Sequence, residues 1–550
     1  MRNHFLLSIL ILSGLFWTSE TRGQGIKIQG LNAKIESLIP ATVNDTSPGL
    51  VIGVIHKGEL VFSKGYGLAN LSYRIPNDPK MIYNLGSVSK QFLGYAFAIL
   101  HAEGKINVDD PVGKYLENWP EFDQEVTIRN LLTHTSGYRE AYTLSNLAGR
   151  TIGVDQLTKK ECLNVVRRQP KLEFTPGSRF TYNSTAWVIL AEILEKATDQ
   201  AAHVWVKENV LIPLGMKNTH IESFVGEVMP NAAESYYRDQ NKGYGNPKSN
   251  RAIFGAAEVY SSVEDLVYWI TNFQTQEIGG RSAMDLFLSP YELNDGSVSD
   301  YGFGIKSSLH KGVKLYSHTG AHESFLTQLR YYPEHELGIV AISNYAENGW
   351  LPTNKIAEYI LADYMKFPEK HTYALFEMNR DQLQQFEGTY LSPFRNETTS
   401  LVIVQDTLTI WGGLKLIPIS ENTFYSKEWG GKIEIHSSNE GPHQLVVLGD
   451  SRSTFQKVAK WEPLAKELQE FEADYWSQEL ETTYHLMVKE DQLIIRHRWL
   501  GEMGLKPITH DLFKSDGGWF LQIIRTEENK IAGFNINSNR TLNVLFEKKE

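Results

Sequence analysis

Short apolar runs alternate with segments whose apolar residues recur every three or four positions along the first two thirds of the chain. Val51 to Ile55 and Leu60 to Ser63 are apolar, with His56-Lys57-Gly58-Glu59 between them, which predicts a hairpin. From Lys90 to Glu103, Phe92, Ala96, Ile99 and Leu100 keep helical spacing, and the run stops at Gly104. Trp187 to Ala197 predicts a second helix, with Ser184 or Thr185 as its N-cap. Val313 to Ser317, Leu326 to Tyr332 and Ile339 to Ser343 predict strands, the last two separated by Pro333-Glu334-His335 and Gly338. Helices interleaved with hairpin strands predict an α+β domain over residues 25–370, an antiparallel sheet flanked by helices.

After about residue 375 the pattern changes to short strands with turn residues, and it repeats. Leu383-Gln384-Gln385-Phe386-Glu387-Gly388-Thr389-Tyr390 returns 85 residues later as Leu468-Gln469-Glu470-Phe471-Glu472-Ala473-Asp474-Tyr475. Asp406-Thr407-Leu408-Thr409-Ile410 returns at the same offset as Asp491-Gln492-Leu493-Ile494-Ile495. Pro418 and Phe424 then match Pro507 and Phe513, and Phe455-Gln456-Lys457 matches Phe546-Glu547-Lys548. The slow growth of the offset is what small loop insertions produce. Two copies of one small antiparallel barrel, over 376–462 and 464–550, account for it. Trp461-Glu462-Pro463 falls at their junction.

Composition narrows the function. A chain of 550 residues with net charge −11 and no Lys/Arg-rich block is not built for nucleic acid. The basic and apolar start, Arg2 and His4 followed by Phe5 to Trp17, predicts a secretory leader over 1–23 and a periplasmic or secreted protein. The apolar run is too short and its flanks are wrong for a firm membrane span, so none is expected after leader removal; an uncleaved N-terminal anchor is the alternative reading. Cys162 is the only cysteine, so an intrachain disulfide and a thiolate zinc cluster are both excluded, and a buried thiol is expected. The chain also lacks H-E-x-x-H and G-x-S-x-G, so neither a zinc hydrolase nor an α/β-hydrolase elbow is indicated. No metal or cofactor is called for, and the oligomeric state is open.

The chemistry concentrates in Gly86-Ser87-Val88-Ser89-Lys90, at the head of the first predicted helix. Residues three apart share a helix face, so Ser87 Oγ and Lys90 Nζ can meet. A serine hydroxyl is a poor nucleophile until a base takes its proton, and an amine serves if burial or nearby positive charge keeps it neutral. Free backbone N–H groups at a helix start also favour developing negative charge. A second S-x-x-K, Ser308 to Lys311, lies among predicted strands and has no helix to align it.

Two downstream segments offer partners. Tyr182 lies in Pro176-Gly177-Ser178-Arg179-Phe180-Thr181-Tyr182-Asn183-Ser184; a phenol beside an ammonium has a lowered pKa and can relay protons. The same tyrosine also reads as one of 26, half-buried at a strand end. His318-Thr319-Gly320 closes the strand from Val313; the glycine admits a substrate backbone, and the histidine can donate to a carboxylate or steady the tyrosine. His134, in Thr133-His134-Thr135-Ser136-Gly137, reads as part of a turn held by side-chain-to-backbone bonds.

Together these segments resemble the serine β-lactamase and penicillin-binding-protein superfamily, in its D-alanyl-D-alanine carboxypeptidase, D-aminopeptidase and class C-like branch. The resemblance rests on Asn84 to Phe92, Glu103 to Pro111, Ile128 to Gly137, Pro176-Gly177 with Phe180 and Tyr182, Ser261 to Leu266, and His318-Thr319-Gly320. It implies that Ser87 is acylated, that Lys90 and Tyr182 move the protons, and that the N–H groups of Ser87 and Ala321 form an oxyanion hole. It implies substrate contacts from Asn183, Ser184, His318, Thr319, Gly320 and Ala321. Ser184 stands where the family's Tyr-x-Asn motif places an amide, so either Asn183 reaches in or recognition has shifted. His318 stands where β-lactamases usually carry lysine, which points away from antibiotic resistance as the main role. The tail repeats resemble lipocalin-like barrels. The implied function is a serine hydrolase of D-amino-acid peptides or amides; a small-ester esterase and a non-catalytic penicillin-binding sensor are the alternatives. The implied partner is a small peptide, amide or ester, with no nucleic acid.

Overall fold

The computed structural model describes residues 26–151, 153–345, 351–366, 373–392, 397–436, 443–448, 452–538 and 540–549. The leader expected over 1–23 lies outside them. Among the described residues no helix is long and apolar enough to cross a membrane.

Six strands form the central sheet: β1 (Leu50–His56), β2 (Glu59–Tyr66), β3 (Lys306–His310), β4 (Val313–His322), β5 (Phe325–Tyr332) and β6 (Leu337–Ser343). Their order is β3-β4-β5-β6-β1-β2, and every pairing is antiparallel. The β1–β2 hairpin is as expected: His56 pairs with Glu59 across Lys57 (φ 53°) and Gly58 (φ 79°). Two positive φ values in a two-residue loop match the twist of the strands it joins.

The apolar runs of β1 and β6 have a simple cause: both faces of the sheet are covered. Val51, Ile55, Val340 and Ile342 point into the larger core, and Ile52, Val54, Ile339 and Ala341 into a smaller one. Six helices matter here: α1 (Leu31–Glu36), α2 (Lys90–Ala102), α3 (Ala141–Leu147), α4 (Ser184–Thr198), α5 (Val263–Thr275) and α6 (Thr353–Ile360). The larger core takes Phe92, Trp187 and Trp269 from α2, α4 and α5, while α1 and α6 close the smaller. The N-cap of α4 is Asn183, not Ser184 or Thr185: its side chain accepts from Ala186 N at 2.9 Å. Thr185 is already helical, and its hydroxyl accepts from Ala141 N at 2.7 Å.

Two closed eight-stranded antiparallel barrels follow, from Gly388–Leu391 to Arg452–Lys457 and from Ala473–Ser477 to Val544–Lys548. The repeated residues hold equivalent places. Tyr390 pairs with Lys457 and Tyr475 with Lys548, which closes each barrel. Tyr390 donates to Phe386 O and Tyr475 to Phe471 O, each at 2.8 Å. Pro418 opposes Phe424 as Pro507 opposes Phe513.

The barrels differ in their neighbours. Among the described residues, the first barrel's core draws on its own residues alone. The second takes in Leu144 and Leu147 of α3, and Tyr484 donates to Leu147 O at 2.8 Å. Arg139, buried just before α3, bonds Glu479 of the second barrel through both Nε (2.8 Å) and Nη2 (3.0 Å). It also reaches Glu173 at 3.0 Å, Asn543 O at 3.2 Å and Leu542 O. A bidentate, doubly paired guanidinium fixes orientation as well as contact.

Candidate active site

Ser87 lies on a 3₁₀ turn, Gly86–Ser89, that leads directly into α2. Three residues per turn stack positions i and i+3, which places Lys90 over Ser87 more closely than an α-helix would. Asn84 Oδ1 accepts from Gly86 N at 2.8 Å and starts the turn. Gly86 has φ 54°, and a Cβ there would fall 2.5 Å from Ala321 N. On the facing strand β4, a Cβ at Gly320 would fall 1.9 Å from Leu85 O and 3.0 Å from Ser87 N. The two glycines therefore let the nucleophile turn lie directly against β4. Gly320→Ala is expected to cost about 3 kcal/mol of stability and to slow acylation, checked by denaturant midpoint and active-site labelling.

Lys90 Nζ is 3.3 Å from Ser87 Oγ and donates to Ala256 O at 2.5 Å. The amine is fully buried, and desolvation, followed by the charge of Arg540, brings its pKa down to about 7. Neutral Lys90 is thus available as a base near neutral pH. Ser87 is only partly buried and opens into a cavity of about 830 Å³ shared with Tyr182, Ser184, Thr319, Ala321 and Arg540.

Tyr182 is beside the pair, with Lys90 Nζ 5.1 Å from its ring centre. Its hydroxyl is buried and faces Ser87 without well-formed hydrogen-bond geometry. Contrary to expectation, burial raises its pKa to about 12. The expected lowering needed a full neighbouring ammonium, and burial leaves Lys90 only partly charged near neutral pH. Tyr182 is therefore a protonated donor.

His318 also departs from expectation. Its Nδ1 donates to Thr319 O at 2.6 Å, and its Nε2 accepts from Tyr301 Oη at 2.7 Å. Burial brings its pKa down to about 3, so the ring is neutral and both nitrogens are engaged. It steadies Tyr301 rather than Tyr182 and has no proton left for a substrate carboxylate.

Asn183 does not reach the cavity. It caps α4, and its Nδ2 donates to Tyr138 O (2.5 Å) and Arg139 O (3.2 Å). Ser184 does line the cavity, as do His318, Thr319, Gly320 and Ala321. Along β4, His322 pairs with Phe325 across a two-residue turn and Ala321 with Leu326. Alternation of the ladder then aims the Ala321 N–H away from β5, toward Ser87. The Ala321 N–H is thus on the side of β4 that faces the Ser87 turn, the side on which an oxyanion hole would need it.

His134 is buried under Tyr182, ring centres 4.2 Å apart, and is held well below its ordinary pKa by desolvation. Asn183 N donates to its Nδ1 at 2.9 Å, and Trp187 Nε1 stands 3.2 Å from its Nε2. It packs behind the site, as the turn reading expects. Sequence reasoning did not identify Tyr301 or Arg540. Arg540 comes from the second barrel, and no local motif connects it with Ser87.

The family model described as Beta-lactamase matches residues 35–362. A penicillin-binding protein of Bacillus subtilis (strain 168) is 24% identical over 420 residues, covering 72% of this chain and 91% of the relative. The D-aminopeptidase of Brucella anthropi is 27% identical over 305 residues, covering 55% of this chain. This chain spans 57% of that relative's length. Among solved structures, the octameric penicillin-binding protein homologue from Pyrococcus abyssi superposes with a TM-score of 0.53 at 22% identity. That match covers 78% of this chain and 100% of the other. EstCE1, a hydrolase with promiscuous acyltransferase activity, gives 0.51 at 19% identity, covering 60% and 99%. These two structures share the fold.

Proposed function

Because the chain belongs to the Beta-lactamase family, we propose that it is a serine hydrolase acting through an acyl-enzyme on D-amino-acid peptides and amides. The observation that carries this reading is Lys90: a buried amine, 3.3 Å from a cavity-facing serine hydroxyl, with a pKa brought to about 7. Ser87 Oγ attacks the substrate carbonyl while its proton passes to Lys90 Nζ. The Ser87 and Ala321 N–H groups receive the charge on the carbonyl oxygen, each typically worth about 3 kcal/mol of barrier. The C–N bond breaks, and the departing amine takes the proton held by Lys90, with the protonated Tyr182 hydroxyl placed to assist. Water then adds to the acyl-Ser87 ester and gives a proton to Lys90, which passes it to Ser87 Oγ as the acyl C–O bond breaks, releasing a carboxylic acid, free serine and neutral Lys90. D-aminopeptidase relatives support the D-stereochemistry.

Paired D- and L-aminoacyl p-nitroanilides and the matching p-nitrophenyl esters test it. The D-amides should be turned over at least tenfold faster than the L-amides, measured as kcat/KM. Equal rates for the two hands would remove the stereochemical reading, and turnover of esters alone would make the protein an esterase.

A further inference from the structure

The cavity's charge is one-sided. Among the described residues its lining includes Arg251, Lys306 and Arg540 and not one aspartate or glutamate, in a chain of net charge −11. Two of these cations are already matched. Arg251 Nη2 lies 2.9 Å from Glu323, and Lys306 Nζ lies 3.3 Å from Asp300. Arg540 is not: among the described residues its guanidinium has neither a hydrogen bond nor an ion pair, and it lies over the Tyr182 ring at 5.2 Å. The nearby buried Glu140 affects it through space but accepts from Thr143 instead.

Nor is Arg540 on a loose tip. Ser538 Oγ accepts from the amides of Arg540 (3.3 Å) and Thr541 (3.1 Å), and Asn537 Oδ1 accepts from Asn543 N at 2.8 Å. The carbonyls of Leu542 and Asn543 are taken by Arg139, itself clamped to Glu479 and Glu173.

Resting on the acyl-enzyme reading above, we propose that Arg540, delivered by the second barrel, binds a carboxylate of the substrate, so that this site selects peptides with a free acid beside the scissile bond. A planar guanidinium without a counter-ion is matched by a carboxylate. A free substrate ammonium would enter a cavity with no anion to receive it. The site is therefore of the acid-reading kind rather than the aminopeptidase kind, and Arg139 acts as the positioning residue.

The test uses the full chain and three probes: N-acetyl-D-alanyl-D-alanine, its C-terminal amide, and D-alanyl p-nitroanilide with a free amine. The wild type should favour the acid over the amide at least tenfold in kcat/KM. Arg540→Ala should reduce that ratio at least tenfold, mostly through KM, Arg540→Lys should restore part of it, and Arg540→Glu should shift preference toward the free-amine probe. Fluorophosphonate labelling of Ser87 in each variant shows whether the site is still folded. An unchanged acid-to-amide ratio in a variant that labels normally, or a wild type that prefers the free-amine probe, overturns the assignment. Turnover persisting in Ser87→Ala would instead remove the acyl-enzyme reading itself, so the two failures are distinguishable.

Discussion

Ser87→Ala is expected to abolish turnover of every acyl donor, amide or ester, by a factor on the order of 10⁶. Removing the nucleophile removes the covalent step, and the oxyanion hole and binding cavity alone recover little of it. The fold should be unaffected. The Ser87 side chain faces Lys90 and Tyr182, while the turn that carries it is held by Asn84 and by its fit against β4. The checks are steady-state rates, loss of covalent labelling by a fluorophosphonate, and an unchanged denaturant midpoint. Residual labelling elsewhere on the chain would sink the assignment of the nucleophile.

Lys90→Met should lower kcat/KM by about 10³-fold, the ordinary scale for loss of a positioned base, and should at the same time stabilise the protein. The signs follow from burial. Lys90 ordinarily titrates near 10.5, and the folded protein brings it to about 7. The unfolded chain therefore holds a proton there that the folded chain does not, and stability falls as pH drops from 10.5, levelling off below about 7. The full difference is roughly 5 kcal/mol, against about 1 kcal/mol for the lost bond to Ala256 O. Lys90→Met should accordingly unfold at higher denaturant than the wild type at neutral pH.

The same group sets the pH profile. Activity needs the neutral amine, so kcat/KM should rise about tenfold per pH unit below 7 and level off above it. Tyr182, pushed up to about 12, and His318, brought down to about 3, titrate outside this range. Glu258, raised to about 8 by burial, titrates near it, so Glu258→Gln is the control: the acid limb should survive that change and vanish in Lys90→Met.

What the sequence disclosed and what it hid divide along chain distance. The Ser87–Lys90 pairing is three residues long, and a single turn determines it. The barrel repeat was readable because each copy needs the same tyrosine, turn and closing strand to bury one core, so the same residue types recur at fixed offsets. The protonation states were not readable. Tyr182 and His318 are governed by burial, which depends on what α4, β4 and Tyr301 bring over them. Asn183 sits one residue from Tyr182, yet its amide is spent on capping a helix and holding two carbonyls, a choice made by the backbone path around it. Arg540 was hidden for the strongest reason: its proximity to Ser87 exists only once another domain has docked.

That docking has a consequence for how the protein is made. Arg139, a charge with almost no access to water, draws its partners from both ends of the polypeptide's order of synthesis: Glu173 early, Glu479 and the Leu542 and Asn543 carbonyls late. A ribosome finishes the residues around Ser87 long before those acceptors emerge. The nascent hydrolase therefore waits, with a half-matched cation and the bare flank of α3, until the second barrel emerges and docks.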